Sequence, residues 1–137
     1  MFKWTPSLSV GVDVIDLQHQ ELFMLFEGIS MDIQEYKGQE RVSKALAFLD
    51  DYVRKHFSLE EKYMRVLKYP DYDSHMSEHK EFIENLGALR EHFEKGDMST
   101  LIYEITGVIS HWLVRHVANT DKALGSFLKD KMDNYYE

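Results

Sequence analysis

The sequence has no cysteine and only two prolines in 137 residues. Without thiols there can be no disulfides, iron–sulfur clusters or thiolate zinc sites, and His and carboxylates are the strong metal ligands that remain. Basic residues are also scarce, 16 Lys and Arg against 24 Asp and Glu, for a net charge of −8. Nucleic acid and anionic membranes both need a basic patch, so neither is an expected partner. No apolar run approaches the ~18 residues of a membrane span. The N-terminus, MFKWTPSLSV, lacks the apolar core of a secretory signal, and a cytoplasmic location is expected.

What is present describes one globular domain over residues 1–137. Hydrophobic residues make up 44%, enough for a core in a chain of this length. Both prolines fall outside the strongly periodic stretches, Pro6 in an N-terminal arm and Pro70 at a junction. Apolar residues recur in steps of three and four, as in Val42, Leu46, Leu49 and Val53, or Phe82, Leu86, Leu89 and Phe93. No useful length alternates with a period of two. The pattern predicts an arm over about 1–15 and helices over about 16–37, 40–67, 71–94, 99–117 and 120–132, with Asp16 as the first N-cap. Short connections make neighbouring helices antiparallel. The fold class is all-α: an up-down-up-down four-helix bundle with a short C-terminal helix.

The residues that interrupt these seams carry the chemistry. His56 and Glu60 stand where the second helix calls for apolar side chains, and His75 and His79 do so in the third. Each pair is spaced i, i+4 and projects from one face. His19 shares a face with Leu22, Phe26, Ile29 and Ile33, and His116 shares one with Ile105, Ile109, Trp112 and Leu113. Burying such groups unpartnered costs ~1–3 kcal/mol each. In an up-down bundle all these places lie at the same end, so the groups converge. Asp121 is five residues after His116, which on an unbroken α-helix leaves the two about 140° apart. Both can face the core only if the helix bends or restarts, and Asn119-Thr120 is suitable chemistry for that. His92 and His111 lie away from the cluster and are expected on the surface.

Five imidazoles and two carboxylates exceed the needs of one four-coordinate ion. With Glu60, Asp121 and a solvent oxygen each bridging two ions, three His complete six ligands on one ion. Two His leave the other with five and an open place for a small exogenous ligand. Imidazole with carboxylate suits iron, and a ferrous pair can supply two electrons to O2. One competing motif is His75-Met76-Ser77-Glu78-His79, which matches the H-x-x-E-H zinc-peptidase signature with Glu78 as general base. That reading leaves His19, His56, Glu60, His116 and Asp121 unused. Ferritin-like diiron oxidases use Glu-x-x-His pairs and more carboxylates than this chain offers.

The segments WTPSLSVGVDVIDLQHQELF, HFSLEEKYM, YPDYDSHMSEHKEF and HWLVRHVANTDK resemble the hemerythrins, particularly their bacterial single-domain members. The resemblance covers nearly the whole chain in order, and the family is itself a standard example of the up-down bundle. It implies that His75, His79 and His116 hold one iron, that His19 and His56 hold the other, and that Glu60 and Asp121 bridge. It also implies that O2 binds end-on at the two-His iron and is reduced to hydroperoxide with a proton from the bridging hydroxide, both transfers reversing on release. By the same mapping Leu22, Phe57, Trp112, Leu113 and Val117 line the O2 pocket. Dioxygen is the expected partner, beside an unidentified reductase or oxygenase, and an O2 carrier, storage or delivery protein is the expected function. The other readings of the same site are an enzyme reducing nitric oxide or peroxide, and an O2 or redox sensor.

Overall fold

The structure, a computed structural model, describes residues 3–35 and 37–135. Met1 and Phe2 of the expected arm, and Tyr36 near the expected end of the first helix, lie outside the described residues. Among those described there is no strand. The chain forms α1 (Asp13–Gln34), α2 (Gln39–Val66) and α3 (Tyr72–Glu94), then one continuous helical run from Met98 to Tyr135. That run comprises α4 (Met98–Tyr103), a π-helical stretch (Glu104–Ile109), α5 (Ser110–Arg115), a second π-helical stretch (His116–Asp121) and α6 (Lys122–Tyr135). Contacts pass from α1 to α2, α2 to α3, α3 to α4 and α4 back to α1, closing the four-helix ring.

The boundaries follow local chemistry. Asp97 caps α4, accepting a hydrogen bond from the Thr100 N–H at 3.2 Å. Gly96 ends α3 with φ 75°, and the Asp97 N–H returns to the His92 carbonyl. Between α2 and α3 the same left-handed position is taken by Lys68, at φ 56°. Asp16 does not cap α1, which begins three residues earlier than expected. Its carboxylate instead accepts from the Val10 N–H at 2.8 Å and from the Ser9 hydroxyl, tying the arm to the helix.

The arm contains a 3₁₀ turn (Pro6–Leu8) and crosses α6 at Gly125. A Cβ at Gly125 would overlap the Val10 carbonyl oxygen, so only glycine allows this crossing. Lys122 Nζ donates to the Ser7 carbonyl nearby at 2.8 Å.

Two apolar clusters result. The larger runs along the bundle and includes Leu22, Phe26, Val53, Phe57, Phe82 and Leu113. The smaller joins Val10, Ile15, Met64, Tyr69, Leu124 and Leu128. Ile15 is one turn before His19, Met64 one turn after Glu60, and Leu124 just after Asp121. A polar layer is thus held between an apolar core on one side and an apolar cap, roofed by the arm, on the other.

Candidate metal centre

All seven expected ligands meet in that layer. His19 comes from α1, His56 and Glu60 from α2, His75 and His79 from α3, and His116 and Asp121 from the two ends of the second π stretch. Every one is buried, with Glu60 and His19 at 0% exposure. Their ligand atoms form two groups within 4.8 Å, one of His75, His79, His116, Glu60 and Asp121, the other of His19, His56, Glu60 and Asp121. Both groups could hold a metal ion, and the two carboxylates belong to both.

The division goes down to single oxygens. Glu60 Oε1 is 3.1 Å from His75 Nε2 and from His79 Nε2, while Oε2 is 3.0 Å from His56 Nε2 and 3.4 Å from His19 Nε2. Asp121 Oδ1 is 3.0 Å from His75 Nε2 and 3.1 Å from His116 Nε2, while Oδ2 is 3.0 Å from His19 Nε2. Each carboxylate gives one oxygen to each set.

Despite these distances, both Asp121 oxygens, Glu60 Oε2, His116 Nε2 and both nitrogens of His19 have no hydrogen-bond partner among the described residues. Buried polar atoms brought this close without satisfying one another are placed as a metal's ligands would be. Adjacent corners of an octahedron around an ion about 2.1 Å from its ligands stand about 3.0 Å apart. The donor set and its spacing therefore fit a pair of cations, and imidazole with carboxylate is a set that iron accepts.

The expected break between His116 and Asp121 is not found. The helix continues through a π turn with i→i+5 hydrogen bonding, which puts residues five apart on one face. The angular problem was rightly posed and is solved by widening the turn.

Sequence reasoning missed the residues behind the ligands. His56 Nδ1–H donates to Gln18 Oε1 at 2.7 Å, His79 Nδ1–H to Glu61 Oε2 at 2.9 Å, and His116 Nδ1–H to Glu78 Oε1 at 2.8 Å. Such bonds fix the tautomer so that Nε2 faces the metal layer. Each supporting residue is the sequence neighbour of a ligand, and each grips a ligand on a different helix. That adjacency was the available signal. Glu78, the would-be general base of the peptidase motif, is engaged with His116 and accepts from the Thr120 hydroxyl on both oxygens, at 2.8 and 2.9 Å.

Without an ion the electrostatics are those of imidazoles around two buried carboxylates. Burial opposes charge on His19 and His75, yet Asp121 and Glu60 outweigh it and raise both pKa values to about 9. Burial likewise opposes charge on His116, but Asp121 and Glu78 bring it to about 10. Burial alone would raise the Glu60 and Asp121 carboxyls, but the surrounding imidazoles pull both far below the usual range. The His116 N–H bond lowers Glu78. The layer favours positive charge at its centre.

Leu22, Phe57, Leu113 and Val117 are buried beside the layer. Trp112 is half-buried, stacked on His116 with centroids 4.6 Å apart and planes at 12°, and it borders a surface cleft of about 410 Å³ shared with Glu78, Arg115 and Asn119. His111 is exposed. His92 is partly buried and its Nδ1 lies 2.7 Å from Glu104 Oε1, away from the seven. No described helix is long and apolar enough to cross a membrane.

Comparison with known proteins agrees with this geometry. A bacteriohemerythrin of Stenotrophomonas maltophilia is 26% identical, over 98% of this chain and 86% of its own. One of Methylococcus capsulatus is 28% identical over 93% and 97%, and a myohemerythrin of Theromyzon tessulatum is 28% identical over 88% of each chain. A crystal structure of a leucine-to-phenylalanine mutant superposes with a TM-score of 0.80 at 26% identity, covering 93% of this chain and 97% of that one. The family model described as "Hemerythrin HHE cation binding domain" matches residues 10–128, a range that spans all seven candidate residues, and the chain belongs to that family.

Proposed function

We propose that the chain binds dioxygen reversibly at two non-heme iron ions, as an O2 carrier, storage or delivery protein of the cytoplasm. The observation that carries this reading is the one-oxygen-each division of Glu60 and Asp121 between a three-His set and a two-His set. In it His75, His79 and His116 would hold one iron and His19 and His56 the other, with Glu60 and Asp121 offering an oxygen to each. The set with one imidazole fewer is where a small ligand finds room. When bound, two ferrous ions would supply the reversible two-electron chemistry that O2 binding needs.

The chain's own part is to hold and to exclude. Five imidazoles stay neutral as ligands while two carboxylates supply the negative charge. Leu22, Phe57, Trp112, Leu113 and Val117 line the approach with apolar surface, which limits water and slows loss of the oxygenated form. A reductase or oxygenase would be the natural redox partner.

The test is visible absorption of the iron-loaded protein, reduced without air, oxygenated, then purged with inert gas. A charge-transfer band that rises and vanishes over repeated cycles is expected. Prompt conversion to a stable ferric spectrum, or turnover of nitric oxide or peroxide with an electron donor, would replace binding with the enzyme or sensor reading.

A further inference from the structure

The three hydrogen bonds behind the ligands differ in charge. His79 and His116, both in the three-His set, are backed by the carboxylates Glu61 and Glu78. His56, in the two-His set, is backed by the neutral amide of Gln18. The remaining rings, His19 and His75, have no partner on Nδ1 among the described residues and do not offset this difference. The bridging carboxylates are shared by both sets and do not distinguish them.

The supports are rigid. His79 is held through Nδ1–H by Glu61 at 2.9 Å, which leaves Nε2 3.1 Å from Glu60 Oε1 within the layer. Glu78 is pinned by Thr120, which lies in the same π turn as His116. Gln18 is tied at its backbone, whose carbonyl accepts from the Tyr52 hydroxyl at 3.3 Å, while its side-chain amide meets His56. A carboxylate that accepts an imidazole N–H draws the proton toward itself and makes the opposite nitrogen a stronger donor to a cation. An amide oxygen does this far less.

We propose that Gln18, Glu61 and Glu78 are positioning residues that grade the two metal positions. The three-His position takes a divalent cation first and releases it last, beyond what its extra imidazole provides. The inference rests on the two-ion reading of the site and adds an order to it.

The probe is Co2+, which needs no oxygen chemistry. The full chain is loaded with Co2+ and stripped with increasing chelator, while bound cobalt is read by absorption. Wild type should release its ions in two steps. Glu78→Gln keeps an acceptor and removes the charge, and should weaken the tightly held ion by about 10- to 100-fold with little effect on the other. Gln18→Glu should tighten the loosely held ion by about tenfold and narrow the gap. Glu61→Gln supplies an independent second variant should Glu78→Gln fail to fold. Release unchanged within about twofold in both carboxylate variants, or equal weakening of both ions, would overturn the grading. Two ions leaving wild type in one step would also overturn it while sparing the two-ion reading. Fewer than two cobalt ions per loaded chain would overturn both.

Discussion

Phe57 lies flat against His79, with ring centroids 3.8 Å apart and planes 3° from parallel. The stacking covers one face of an imidazole whose Nδ1–H is already bound to Glu61, and the two contacts together restrain the ring. Phe57→Ala should cost about 3–5 kcal/mol of stability through the cavity it leaves. It should also loosen the metal at the three-His set. Urea unfolding with and without metal measures both, and an unchanged metal affinity would show that the stacking serves packing alone.

Glu60→Ala and Asp121→Ala each remove an oxygen from both metal positions, and metal content should fall well below two ions per chain. His111→Ala, at an exposed ring outside the layer, should leave it near two. Elemental analysis decides the matter. Halved iron in the His111 variant would show the ligand assignment in this helical run to be wrong.

Loading should depend on pH in a direction set by His19, His75 and His116, whose metal-free values are raised to about 9, 9 and 10. Raised imidazole values mean that the protonated rings stabilise the metal-free fold. That contribution is complete below about pH 6.5, the ordinary imidazole value, and is lost as pH climbs through 9 to 10. The metal-free chain should therefore melt at lower temperature at pH 9.5 than at pH 7. The loaded chain, with its imidazoles neutral, should lack this loss. Loading at pH 7.5 should release protons, measurable by calorimetry in buffers of different ionisation enthalpy. A metal-free chain more stable at pH 9.5 than at pH 7 would contradict the assignment.

Lys68 adopts a left-handed conformation, φ 56°, where a side chain costs roughly 1 kcal/mol. Lys68→Gly should remove that cost, offset in part by the freedom glycine adds to the unfolded chain. A rise of a few degrees in melting temperature is expected, with metal content unchanged.

Gly125→Ala should push the arm off α6, since the new methyl group meets the Val10 carbonyl. Metal content should persist, because no ligand moves. Solvent access at the capped end should increase, and the oxygenated form should decay faster than in wild type. Hydrogen exchange at the Val10 amide, which is bound to Asp16, reports the detachment directly.

The bundle was legible because its seams repeat at helical spacing, and the candidate ligands were legible because polar residues broke those seams at one depth. His19, His56, Glu60, His75, His79 and His116 needed only that pattern. Asp121 does lie in the same layer, but the backbone that brings it there was not foreseen, because a widened helical turn leaves no mark in composition or in hydrophobic period. Gln18, Glu61 and Glu78 stayed hidden for a different reason. Polar residues on half-exposed helix faces look like ordinary surface until the neighbouring helix is in position. Lys68 carried no signal, as its conformation is imposed by the junction between α2 and α3.

The lacing of the arm over α6 also bears on when the centre becomes sealed. Ser7 and Lys122, which bond to each other, are 115 residues apart, and Gly125 lies further along still. On a chain made from its N-terminus, the arm emerges before α6 and has nothing to dock on until α6 follows. Asp121, the second shared carboxylate, arrives only just before. The apolar roof over this layer therefore cannot close before α6 has been made, whatever else of the bundle has already formed.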